Sequence, residues 1–189
     1  MEEFMNEAIK AITERRSHRA YLPEQLKKEH LSAILKAGAF APSGMNAQPW
    51  RFTVVQNKEL LGKVNAACKK VMLASGIERL IASAKNPDSS AFYAAPALII
   101  VSADKSAVTP VEDCAIALGY MFVAAESLGI GSCWINAVKG ALEAPDGKAL
   151  KSELQIPESF KVYCSGAFGY KSAKPSAAPR KEGMNLILK

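Results

Sequence analysis

Ten residues, Ala41-Pro42-Ser43-Gly44-Met45-Asn46-Ala47-Gln48-Pro49-Trp50, place a hydroxyl and two primary amides within six positions and carry no charge. Such a segment presents directional donors and acceptors, chemistry that suits a heterocycle with a uracil-like edge or the hydroxyls of a polyol chain. The same residues also suit an ordinary connection in which Ser43 and Asn46 satisfy their own backbone. Upstream, Arg15-Arg16-Ser17-His18-Arg19 gathers three guanidiniums and a hydroxyl into five residues. Arg offers forked donors that match phosphate oxygens and stays charged near neutral pH, so the cluster reads as an anion site. Its alternative is the pairing of cations with the C-terminus of a helix. Either stretch alone is ambiguous; an Arg-Arg-Ser-x-Arg followed some twenty-five residues later by Pro-Ser-x-x-Asn-x-Gln-Pro-Trp is a much rarer conjunction.

These stretches sit between recognisable elements. Phe4, Met5, Ala8, Ile9 and Ile12 repeat at helical spacing and predict a helix that ends near Arg15. After Pro23 a second helix is expected over 28–39, burying Leu31, Ile34, Leu35 and Gly38 and delivering the amide loop. A strand over 51–55 follows, then a helix striped with Leu60, Leu61, Val64, Ala67, Cys68 and Val71. The stretch 73–93 is ambiguous: Ile77, Leu80 and Ile81 suggest a short helix, and 86–90 is loop, of a kind that often covers a site but in most proteins is only a connection. Ala97 to Val101 is a continuous apolar run, suited to a strand covered on both faces. Thr109-Pro110-Val111-Glu112 combines an N-cap hydroxyl, proline at the first helical position and glutamate at the third, the pattern of a capping box. The helix it opens, to about Leu128, is apolar on nearly all sides and must be surrounded, by its own domain or by a partner chain. Strands over 131–136 and 160–168 and a short helix over 148–154 complete the pattern. Helices interleave with strands, so the class is α+β or α/β.

Composition bounds the rest. A chain of 189 residues, 49% hydrophobic, suffices for one domain over 1–189, with an extended tail rich in Lys, Pro, Ser and Ala from about 171. The net charge of +6 is scattered and not interleaved with aromatic residues, which argues against nucleic acid. Cys68, Cys114, Cys133 and Cys164 lie too far apart for a zinc site. Met1-Glu2-Glu3 opens no apolar leader, so a cytoplasmic protein with reduced thiols is expected. The most apolar stretch, 114–125, is too short to span a bilayer. Gly129-Ile130-Gly131 precedes a strand and lacks a third glycine, so it is no dinucleotide fingerprint. No phosphate-binding Walker loop, metalloprotease motif or nucleophile elbow is present. His30 reads as a solvated side chain, and His18 receives no role.

At this point the chain resembles the FMN-dependent nitroreductase family. The likeness extends from the two motifs through 124–135 to Gly169-Tyr170 and the late Pro179-Arg180-Lys181. It implies a three-layer α+β sandwich with a central mixed or antiparallel sheet, assembled as an intertwined homodimer with FMN at the subunit interface. It implies an oxidoreductase in which NADH or NADPH reduces the flavin and a nitroaromatic, quinone or similar acceptor reoxidises it in a ping-pong sequence through one pocket. The alternative within the same resemblance is a non-redox flavin carrier or sensor. The resemblance assigns Arg15, Arg16 and Ser17 to phosphate and ribityl oxygens, and Arg19 to N1 and O2, where it tunes the flavin electrostatically. Pro42, Ser43, Asn46 and Gln48 match the loop that reaches the flavin of the other subunit. Trp134, Ile135 and Asn136 match the segment beside the dimethylbenzene ring and N5, where a backbone amide can bond. Arg180 and Lys181 match a late basic pair on the phosphate. No side-chain acid is assigned, and 73–93 contains no residue matched to a flavin contact.

Overall fold

A four-stranded antiparallel sheet lies between two layers of helix in the computed structural model, which describes residues 5–173 and 175–188. Met1-Glu2-Glu3, on which the cytoplasmic expectation rested, and Phe4 of the first apolar stripe lie outside the described residues. The strands β1 (Trp50–Val55), β2 (Ala97–Asp104), β3 (Ile130–Trp134) and β4 (Phe160–Tyr170) run in the order β1-β2-β4-β3. The helices are α1 (Glu7–Glu14), α2 (Lys28–Ala39), α3 (Lys58–Leu73), α4 (Glu78–Lys85), α5 (Pro110–Ser127), α6 (Ala137–Glu143) and α7 (Lys148–Glu153).

The two-residue alternation of a strand decides which layer each side chain joins. On β2, Leu98 and Ile100 pack with α3, α6 and α7, while Ile99, Val101 and Ala103 face α2 and α5. All seven residues from Ala97 to Ala103 are buried, as the apolar run predicts for a strand covered on both faces. α2 occupies the predicted bounds and buries Ile34 and Gly38. Gly38 is where α5 comes close: a Cβ there would run into the Met121 side chain.

α6 is not legible in the sequence: seven residues show too little period, and Gly140 interrupts them. The capping box at α5 also differs from expectation. Thr109 is the N-cap and Pro110 opens the helix, but the Thr109 hydroxyl makes no bond to the helix amides. It lies 3.1 Å from the buried Asp113 carboxylate instead. His30, expected in solvent, is half-buried with Nδ1 3.2 Å from the Tyr170 hydroxyl.

α5 buries Cys114, Ala117, Leu118, Met121, Phe122 and Ala125, but leaves Val111, Ile116 and Tyr120 exposed on its other face. Met5, Ile12 of α1, Phe40, Met45 and the tail residues Met184 to Leu188 are exposed too. From 175 the described chain has no regular structure. Among the described residues no helix is long and apolar enough to cross a membrane, and no cluster of potential metal ligands occurs.

Candidate active site

Gly166 of β4 lies opposite Trp134 in the β3–β4 register. A Cβ on Gly166 would sit 2.7 Å from the Phe122 ring, so glycine lets Phe122 of α5 close onto the sheet. Phe122 in turn meets Trp134 edge-on, centroids 6.4 Å apart, and carries the Arg15 guanidinium 5.8 Å over its ring. One backbone hydrogen therefore helps to place an aromatic side chain and a cation of the predicted site.

The segment after α1 runs alongside β3: Ser17 bridges to Ser132, and the His18 N–H donates to the Ser132 carbonyl at 3.0 Å. Neighbouring side chains go separate ways. Arg19 lines a cavity of about 780 Å³ together with Trp134, Ile135 and Asn136. Arg16 and His18 line a different one, with Glu126, Lys171 and the start of the tail. Arg16 is also engaged locally, its Nη1 donating to the Thr13 carbonyl at 2.7 Å and to that of Arg15 at 2.8 Å. That is the helix C-terminal role weighed above as the alternative, so the structure does not bring Arg16 together with Arg19.

Arg19 lies 5.9 Å over the Tyr93 ring, and the Tyr93 hydroxyl favours its charged form, which raises its pKa. Tyr93 and Ala94 both adopt left-handed backbone, with φ of 59° and 52°. Such strain persists only where the surroundings hold it. Trp134 is 42% exposed on the cavity wall and is no core aromatic. Ile135 is buried, and its N–H is taken by the Ser165 carbonyl at 2.9 Å. Asn136, next along the wall, is exposed. Cys133 sits beneath; burial pushes its thiol pKa up against the opposing pull of Arg19.

The amide loop is built elsewhere. Gly44–Asn46 forms a single 3-10 turn in which Met45 and Asn46 have φ of 52° and 55°, and Gln48 follows at 46°. The Gln48 N–H donates to Ser43 Oγ and its side chain to Asn46 Oδ1, each at 3.0 Å. These bonds realise part of the self-satisfied alternative, yet each amide side chain retains further donors or acceptors facing outward. The loop is tethered by the Gly44 N–H, which donates to Asp113 Oδ1 at 2.9 Å. Asp113 and Phe122 are nine residues apart on α5, about 13 Å along its axis. Among the described residues, Pro42, Ser43, Asn46 and Gln48 do not line the Arg19 cavity. Arg180 and Lys181 lie exposed in the tail and do not line it either.

Sequence reasoning missed Arg79, Tyr93 and Lys139 on the cavity wall, and Asp113 under the loop. Asp113 was visible only as the neighbour of the expected capping glutamate. The others carry no local signal.

A profile described as the nitroreductase family matches residues 12–170. The chain belongs to the nitroreductase family. A crystallised nitroreductase with bound FMN from Bacteroides fragilis is 38% identical and superposes with a TM-score of 0.90, covering 98% of this chain and 100% of its own. A relative from Archaeoglobus fulgidus, named provisionally an NADH dehydrogenase/NAD(P)H nitroreductase, is 34% identical over 88% of this chain and 86% of its own. An FMN reductase [NAD(P)H] from Bacillus subtilis is 29% identical over 93% and 70% respectively. The nitroreductase fold thus accounts for the whole sheet and both helical layers.

Proposed function

We propose that this chain is an FMN-dependent oxidoreductase that takes hydride from NADH or NADPH and passes it to a nitroaromatic, quinone or similar acceptor. It acts as a homodimer with FMN at the subunit interface. The observation that supports the assembly is that Pro42, Ser43, Asn46 and Gln48 do not line the Arg19 cavity of their own chain, whereas a second copy can bring its loop across. The exposed face of α5 with Ile116 and Tyr120, and the exposed apolar tail, supply a surface for that copy.

The site fits the cofactor. Its volume lies in the usual range for small-ligand sites, about 300–1,000 Å³, and among the described residues no carboxylate lines it to repel a phosphate or a pyrimidine edge. In this reading Arg15, Arg16, Ser17, Arg180 and Lys181 serve the phosphate and ribityl end, although Arg16 must first leave its carbonyl partners. Arg19 faces the pyrimidine edge, held by Tyr93 so that its charge is already aimed. Trp134 and Asn136 border the other end of the ring; with the Ile135 amide occupied, Asn136 is the better backbone donor. Pro42, Ser43, Asn46 and Gln48 come from the partner subunit.

When bound, FMN supplies the hydride chemistry, and a single cavity for reductant and acceptor makes turnover ping-pong. The absorption spectrum of the purified protein tests the first half of this reading: flavin bands are expected. Anaerobic addition of NADH or NADPH tests the second. Bound flavin that never bleaches would make the protein a carrier or sensor.

A further inference from the structure

Arg19 is an exposed side chain that forms no ion pair among the described residues. Its Nη1 reaches the Ser17 carbonyl only at 3.5 Å. A long cationic side chain so lightly held samples many rotamers, and its charge is aimed only if a neighbour favours one of them. That neighbour is Tyr93: its ring centroid lies 5.9 Å from the guanidinium carbon, and its hydroxyl further favours the cation.

Tyr93 is itself held in place. Before it, the Ala91 N–H donates to Asn65 Oδ1 of α3 at 2.8 Å, and Phe92 is buried in the core. Tyr93 then adopts its left-handed φ of 59°, which a non-glycine residue keeps only where the surroundings impose it. After it, Pro96 closes on Gly169 of β4, and Tyr21 closes on the same glycine. A Cβ there would sit 2.7 Å from Pro96 Cδ and 2.9 Å from Tyr21 Cδ1. The Tyr21 hydroxyl donates to the His18 carbonyl at 2.7 Å, which fixes the segment carrying Arg19. One missing side chain on β4 thus lets the Arg19 segment and the Tyr93 turn meet over a single strand.

We infer that Tyr93 is a positioning residue that sets the reduction potential of the bound flavin through Arg19, by holding the guanidinium toward the pyrimidine edge, a role that rests on the flavin reading of this cavity. Reduction places negative charge on that edge, and a cation already aimed there stabilises it without reorganisation. A side chain that only decides how often the charge is aimed must lose its effect once the charge is gone.

Spectroelectrochemical titration of the FMN-loaded protein tests this in Tyr93→Leu, Arg19→Ala and their double variant, with Tyr93→Phe keeping the ring. Losing a cation–π contact at an exposed site changes the preference about threefold, which is about 14 mV at about 30 mV per tenfold for a two-electron couple. Tyr93→Leu should lower the potential by that amount, Tyr93→Phe by much less, and the double variant should match Arg19→Ala. A wild-type potential in Tyr93→Leu overturns the inference. So does a double variant that falls below Arg19→Ala by the full Tyr93→Leu shift, because Tyr93 then acts on the flavin directly. In the protein without FMN, the Arg19 Nε–H resonance, assigned by its loss in Arg19→Ala, should move in Tyr93→Leu and stay nearly fixed in Tyr93→Phe; an unmoved resonance in Tyr93→Leu overturns the inference with no cofactor present. If the resonance responds as expected but no form of the protein takes up FMN, the flavin reading fails and the inference fails with it.

Discussion

Replacing Asp113 with alanine should uncouple the amide loop from α5. The carboxylate is buried, accepts from the Gly44 N–H at 2.9 Å and from the Thr109 hydroxyl at 3.1 Å, and sits in the first turn of α5. Hydrogen bonds to a charged acceptor contribute about 1.5 kcal/mol or more each, and an anion at a helix N-terminus about 0.5 kcal/mol, so the tether is worth about 3.5 kcal/mol. Against it stand three left-handed non-glycine residues, Met45, Asn46 and Gln48, at about 1 kcal/mol each. Cutting the tether lets them relax, and the two sums nearly cancel. The global stability loss should therefore be small, below about 2 kcal/mol by urea titration, while the loop no longer holds its shape. FMN affinity is the sensitive quantity: a loop that must be reordered on binding lowers it about tenfold or more. Asp113→Asn keeps an acceptor for Gly44 and should lose much less. Gly44→Ala should resemble Asp113→Ala, because a Cβ there collides with Thr109 Oγ1; adding Thr109→Ala should restore part of the affinity. Wild-type FMN affinity in Asp113→Ala would refute the loop's part in the site.

Arg16 and Arg19 should separate cleanly. Arg19→Ala is expected to lower the bound flavin's reduction potential by about 30 mV per tenfold change in relative affinity, whereas Arg16→Ala, which loses bonds to Thr13 and Arg15, should lower stability by up to about 1 kcal/mol and leave the potential alone. Sedimentation should give about twice the 20.2 kDa chain mass, and Ile116→Glu/Tyr120→Glu should yield a monomer with FMN lost; a monomer that keeps FMN would remove the interface site. The pKa of buried His18 is lowered, first by desolvation and then by Lys171, with Glu126 opposing and Arg15 adding to the depression. The unfolded chain thus binds the proton first, so stability present above the ordinary histidine pKa of 6.5 declines as pH falls toward the folded value. Thermal melts from pH 7.5 to 5 should show this decline, and His18→Gln should flatten it.

Periodicity and alternation were enough to bound α2, to mark β2 as covered on both faces and to start α5 at Pro110, because burial of one face leaves its imprint on consecutive residues. The two polar motifs, with the likeness over 124–135, 169–170 and 179–181, were enough for the family, because a rare conjunction of residue types is visible without any fold. Tertiary structure alone divided Arg16 from Arg19, brought Arg79, Tyr93 and Lys139 to one wall, and joined Gly44 to Asp113 across sixty-nine positions. It also set the left-handed turns at Met45 and Tyr93. These features depend on contacts between distant segments, whose free energy outweighs local preference and leaves no pattern in the neighbouring residues.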